Sequence, residues 1–168
     1  MKRGGILSIL TKELVKNAVN LVTPVITQLI NGTPEKKGIY VVITDPDKPY
    51  KKKTVFEKAI LWEGSVGEGR EFQVFAAGKA QVVWRTGKQS ILTETGISLL
   101  PEEKDCVWSG SAMATFDTKT LIVAVSGLRE HQDGYVAKLI LATIELMIAQ
   151  TIQTLKDNGE GIFQIKKE

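Results

Sequence analysis

The chain predicts an α+β fold, an antiparallel sheet flanked by helices in the order α-β-β-α-β-β-α. Three observations carry this reading. Apolar residues recur at helical spacing in three segments, and short β-branched runs fill the gaps between them. The strands fall in adjacent pairs, which does not match a βαβ repeat and suits antiparallel pairing with helices packed against it. A length of 168 residues, 43% hydrophobic and 24% charged, fits one soluble domain with a sizeable core. We read residues 1–168 as a single domain, with a tail over 158–168 that is mobile or a short edge strand.

The first helix is expected over residues 6–30, where Leu10, Leu14, Ala18, Leu21, Val25 and Leu29 share one face. Thr11 suits an N-cap, and Asn31-Gly32 a stop. Pro24 lies inside and should kink or split the helix, because it removes a backbone donor and crowds the preceding turn. Residues 39–44, Ile-Tyr-Val-Val-Ile-Thr, read as a strand, and Asp45-Pro46-Asp47-Lys48-Pro49 as turn chemistry. Residues 54–62 form the second strand of a long-tipped hairpin. Gly64 to Gly69 reads as a flexible connection, followed by a helix over 70–85 with Phe72, Phe75, Ala76, Ala80 and Val83 on its face. The small cluster Ala76-Ala77-Gly78 should let that helix approach the sheet closely, and Gly87 ends it. Residues 88–104 are irregular, with a short helical turn at 91–94. Strands follow at 106–115 and 119–125, separated by an Asp117-Thr118 turn. The last helix spans 133–157, with Val136, Ile140, Ile144, Met147, Ile148, Ile152 and Leu155 inward, and Asn158-Gly159 stopping it.

A net charge of +3 is too small to argue for nucleic acid. Lys48, Lys51, Lys52 and Lys53 gather around a Pro-containing turn without interleaved aromatics, which suits a solvated loop, an anion or RNA contact being the alternative. Cys106 has no second cysteine to bridge to, and one histidine cannot build a histidine-rich metal site. Both facts lean toward a reducing, cytoplasmic setting. The basic N-terminus is followed by a segment interrupted by Lys12, Glu13 and Lys16, so no secretory signal is read. The apolar stretch 139–149 contains Glu145 and falls short of the roughly 20 residues that a membrane span needs. The expectation is a soluble protein with no membrane and no nucleic-acid partner.

Catalytic signatures are weak. The stretch Gly64-Ser65-Val66-Gly67-Glu68-Gly69 lacks the Walker Lys-Ser/Thr and the dinucleotide spacing, and Glu68 would repel an anion. Ser126 in Val-Ser-Gly lacks the first glycine of a nucleophile elbow. Cys106 has no cation beside it to lower its pKa and reads as a packing residue. Glu102-Glu103 looks like an exposed loop. The informative stretch is 120–141, where a buried strand breaks at Ser126-Gly127 and a polar loop leads into the last helix. Such strand-end, helix-start junctions present free backbone N–H groups and collect ligands. His131, the only histidine, sits there. It is either a capping or surface residue or an axial ligand to the metal of a haem or corrinoid. Asp133 suits the N-cap of the last helix. Arg129 could pair with a propionate or other carboxylate, or with Glu130.

With these residues placed, the chain resembles the GlcG/HbpS-type family, often labelled haem-degrading domain and also found as the C-terminal module of PduO proteins. Phe75-Ala76-Ala77-Gly78-Lys79-Ala80 is similar to the family's small-residue helix around a Lys-Ala pair. Val125-Ser126-Gly127 followed by Gln132-Asp133 and Ala137 is similar to its second signature. Where relatives carry a smaller, glycine-rich loop, this chain has Leu128-Arg129-Glu130-His131, and Gly110 is what remains of a glycine-rich segment before the penultimate strand. The resemblance implies a profilin-like α/β sandwich, a homo-oligomer, and a pocket for a tetrapyrrole or another small ligand.

The leading expectation is therefore a small-ligand-binding oligomeric module that takes haem or a corrinoid. Lys79, Arg129, Gln132 and Asp133 would line the pocket, and His131 would contact the metal. A second reading is a structural or regulatory homo-oligomer, because Thr143, Ile144, Met147, Ile148, Thr151 and Ile152 widen the apolar surface of the last helix. A third is an enzyme acting on a small organic acid, with Lys79 and Arg129 holding its carboxylate.

Overall fold

The computed structural model describes residues 9–89, 109–116 and 118–160. Helix α1 (Lys12–Asn31) leads into strand β1 (Gly38–Thr44), a 3₁₀ turn (Phe56–Ala59) and strand β2 (Ile60–Gly67). A second 3₁₀ turn (Arg70–Phe72) precedes helix α2 (Gln73–Thr86), then strands β3 (Ser111–Phe116) and β4 (Lys119–Ser126), and helix α3 (Glu130–Asp157). The expected order of elements and the α+β class are both present. The sheet is antiparallel throughout, in spatial order β2-β1-β4-β3, with Ile43 opposite Trp62, Tyr40 opposite Ser126, and Ser111 opposite Ala124.

The central strands β1 and β4 alternate their side chains between two cores. Ile39, Val41, Ile43, Leu121, Val123 and Val125 face α1 and α3. Val42, Ile122 and Ala124 face α2, where Ala76 and Ala80 are fully buried. Both faces are thus covered, and the result is a three-layer α/β sandwich. Such a strand reads as a continuous apolar run rather than an alternating one. The small residues of α2 do allow the close approach that the sequence suggested.

Several boundaries differ from expectation. Thr11 caps α1 as anticipated, its side chain accepting from Leu14 N at 3.1 Å. The inward stripe, however, is Val15, Ala18, Val19, Val22, Ile26 and Ile30, while Leu21 and Val25 are 64% and 46% exposed. Two apolar stripes one residue apart both satisfy the 3.6 period, so the pattern could not choose between them. Pro24 does not split α1. It is exposed, as is Asn20, whose carbonyl would otherwise receive the missing N–H.

The expected second strand at 54–62 is displaced. Residues 56–59 are 3₁₀, and the strand runs on through the segment read as a flexible glycine connection. Gly67 (φ +68) ends it, and a Cβ there would sit 2.5 Å from the Lys37 carbonyl oxygen. These glycines serve close strand approach rather than flexibility. The loop before β2 is docked on α2 by edge-to-face contacts of Trp84 with Tyr50 and Phe56 and by Trp84 Nε1 donating to the Lys48 carbonyl at 2.8 Å. Lys51, Lys52 and Lys53 are exposed, as a solvated loop requires. The readings placed on Cys106, on Glu102-Glu103, on the helical turn at 91–94 and on the end of the tail lie outside the described residues.

Candidate functional site

Strand β4 ends at Ser126, and the chain must turn at once to start α3. Gly127 makes that turn at φ +138, where a Cβ would lie 2.4 Å from the Gly38 carbonyl oxygen, so only glycine fits. Leu128 is buried, Arg129 is the exposed N-cap of α3, and the helix begins at Glu130. The start is three residues earlier than expected, and this changes the role of Asp133. Instead of capping the helix, Asp133 sits in its first turn and reaches back to the loop, where Oδ1 accepts from Leu128 N at 3.0 Å. Gln132 does the neighbouring work: Oε1 accepts from Arg129 N at 3.2 Å, and Nε2 donates to Thr33 Oγ1 at 3.3 Å, tying the loop to the end of α1.

The other oxygen of Asp133 meets Lys79 of α2. Lys79 Nζ lies 3.1 Å from Asp133 Oδ2 and donates to the Val125 carbonyl at 2.9 Å. The two side chains are 1% and 4% exposed, an ion pair removed from water. Burial pushes the Asp133 carboxyl above the ordinary value of 3.8, against the opposing pull of Lys79 and of the Leu128 and Gly127 N–H groups. Gly110 (φ +137) makes room for the pair, since a Cβ there would fall 2.7 Å from Lys79 Nζ and 2.6 Å from the Val125 carbonyl oxygen.

Above this pair lies a cavity of about 360 Å³. Its floor is Lys79, Asp133 and Ser126, its walls are Phe72, Phe75, Gly127 and Leu128, and Lys36 and Glu130 complete the lining. The Lys36 ammonium lies 5.9 Å from the centre of the Phe72 ring and makes no ion pair among the described residues. The Glu130 carboxylate accepts from Ser109 N at 2.7 Å, which fastens the start of β3 to α3. An ammonium carries three donors. Two of those on Lys79 are committed, which leaves one N–H beside the cavity.

Of the residues the sequence singled out, Lys79 and Asp133 come together on the cavity floor. Gln132 serves the loop instead. Arg129 and His131 are exposed and belong to neither the floor nor the walls. Phe72 and Phe75, expected on the core face of a helix, line the cavity, and Phe75 is 40% exposed. Lys36 carried no signal in the sequence, because it is brought to Phe72 and Glu130 only by the fold. Tested against a tetrapyrrole, the lining offers aromatic walls and a cation for a carboxylate. It offers no imidazole, and among the described residues no group of three or more His, Cys, Asp or Glu could hold a metal ion.

No family model matches the chain, and no curated protein does. Solved structures do. The protein Ybr137w superposes with a TM-score of 0.57 at 16% identity, over 80% of this chain and 78% of that one. Klebsiella pneumoniae protein ORFY, a DUF336 protein, superposes with a TM-score of 0.50 at 14% identity, over 86% and 94% of the two chains. DUF336 is the GlcG-like family, so the fold is GlcG-like. At such identities the likeness speaks for fold.

Proposed function

We propose that this protein is a small-ligand-binding module whose ligand is a compact anion with an apolar body. The observation that carries it is the buried Lys79–Asp133 pair on the floor of a cavity whose lining includes Lys36, a cation without a carboxylate partner among the described residues. A buried ion pair is a poor way to gain stability, since apolar residues of the same volume do as well. Its cost is more readily understood where the groups serve a site. Lys36 and the remaining Lys79 N–H would bind the anionic end, Ser126 would add a hydroxyl, and Phe72 and Phe75 would cover the apolar body. The GlcG-like fold is compatible with such a module. The reading assigns binding, and no bond-making step, to these residues.

Calorimetric titration with a series of small aliphatic and aromatic carboxylates tests it. Saturable binding that weakens about tenfold in Lys36→Gln is expected, the scale of one charge-assisted contact of about 1.5 kcal/mol. No saturable binding across the series, or binding indifferent to Lys36, would overturn the small-anion reading. Haemin is the second probe. A saturable Soret shift abolished by His131→Ala would replace the small anion with an axially ligated tetrapyrrole, whereas the exposed position of His131 predicts that this variant changes nothing.

A further inference from the structure

Helix α3 is apolar on two opposite sides. Val136, Ile140 and Ile144 lie in the core. At about 100° per residue the reverse side carries Tyr135, Leu139, Ala142, Leu146 and Ala149. Tyr135, Leu139 and Leu146 are 69%, 37% and 57% exposed, and the two alanines are exposed as well. The spacings along that side are four, three, four and three residues, the heptad pattern of a helix that pairs with another. Widening of the apolar surface was expected through Ile144 and Ile148, but these are buried, and the exposed seam is a different set.

Two charges flank the seam on one side, Lys138 and Glu145, seven residues apart. Both are exposed, and neither makes an ion pair among the described residues; the Lys138 ammonium rests 5.4 Å from the centre of the Tyr135 ring. Placing a second α3 antiparallel, with Leu139 against Ala142 of the second copy and Tyr135 against its Leu146, brings Lys138 opposite Glu145. The two-fold axis repeats that pair. A parallel placement sets Lys138 opposite Thr143 and Glu145 opposite Gln150 instead, with no opposite charges meeting. We infer that α3 is the contact of an antiparallel, two-fold homodimer, with the seam as its apolar centre and two Lys138–Glu145 pairs setting its direction.

Sedimentation equilibrium of the full chain and of charge-swapped variants tests the inference. The wild type should show reversible doubling of the 18.5 kDa mass. Lys138→Glu alone and Glu145→Lys alone should each dissociate several-fold more readily, because each places two like charges opposite one another. An equimolar mixture of the two single variants should associate again, as should the double variant, since each restores both pairs. Leu146→Glu should be monomeric with an unchanged circular dichroism spectrum, as its side chain is exposed. A monomer at every attainable concentration would overturn the proposal. So would dimers indifferent to both swaps, or swaps that weaken assembly without recovering in the mixture. By length and composition α3 could also cross a membrane, so neutral phosphatidylcholine vesicles are included. A monomeric chain that sediments with them would assign the seam to lipid and overturn the dimer.

Discussion

Lys79 and Asp133 make a case where removing one partner and removing both have opposite consequences. Lys79→Met leaves a buried carboxylate unpaired and should cost about 3–5 kcal/mol in chemical denaturation, whereas Asp133→Asn, which keeps the uncharged state that burial favours at this carboxyl, should cost less. The double variant keeps an oxygen for Leu128 N and removes both charges, so it should return to within about 1 kcal/mol of wild type. A double variant as unstable as the sum of the singles would show that the two side chains act independently, with no coupling between them. The raised carboxyl of Asp133 also fixes the sign of a pH effect. Just above 3.8 the folded chain holds a proton that the unfolded chain has released, so this residue's contribution to stability is largest in acid and is lost as pH rises through the folded value. The stability difference between wild type and Asp133→Asn should therefore decline from acid toward neutral pH, and a difference that grows would place the folded value below the ordinary one. Gly110→Ala should destabilise by about 1–3 kcal/mol, from its left-handed φ and the contact its Cβ would make with the Val125 carbonyl.

Helix α1 shows how an element can be recognised without its orientation. Both apolar stripes satisfy the helical period, and burial selects the β-branched one through Val15, Val19, Val22 and Ile26. Ile26→Ala should cost about 2–5 kcal/mol, whereas Leu21→Gln should stay within about 0.5 kcal/mol of wild type, judged by melting or denaturant midpoints. Equal costs at the two positions would refute this orientation. Pro24 lies on the exposed side, so Pro24→Ala should stabilise the protein by about 1–3 kcal/mol through the recovered hydrogen bond. Helix α3 poses the same question at its start. Asp133 looked like a cap because acidic residues favour helix N-termini, yet Arg129 is the N-cap and the carboxylate is drawn inward by Lys79.

Among the described residues, one helix lies on one face of the sheet and two on the other, and the cavity opens where α2, the end of β4 and the start of α3 meet. If α3 pairs with its own copy, stability becomes coupled to concentration. The melting temperature of the wild type should rise with protein concentration, and that of Leu146→Glu should not. A wild-type melting temperature that stays flat would argue against coupling between folding and assembly.

Order and class of the elements were legible in the sequence because they follow from local properties: period, β-branching, turn residues and the Thr11 cap. Lys79 and Asp133 were legible through short motifs, though not the ion pair between them. What the linear pattern left open was contact between distant segments. The choice between two apolar stripes on α1, the run of β2 through its glycines, and the meeting of Lys36, Phe72 and Glu130 around one cavity all depend on which surfaces face each other. That selection is made by packing, and packing is a property of the folded chain rather than of any stretch along it.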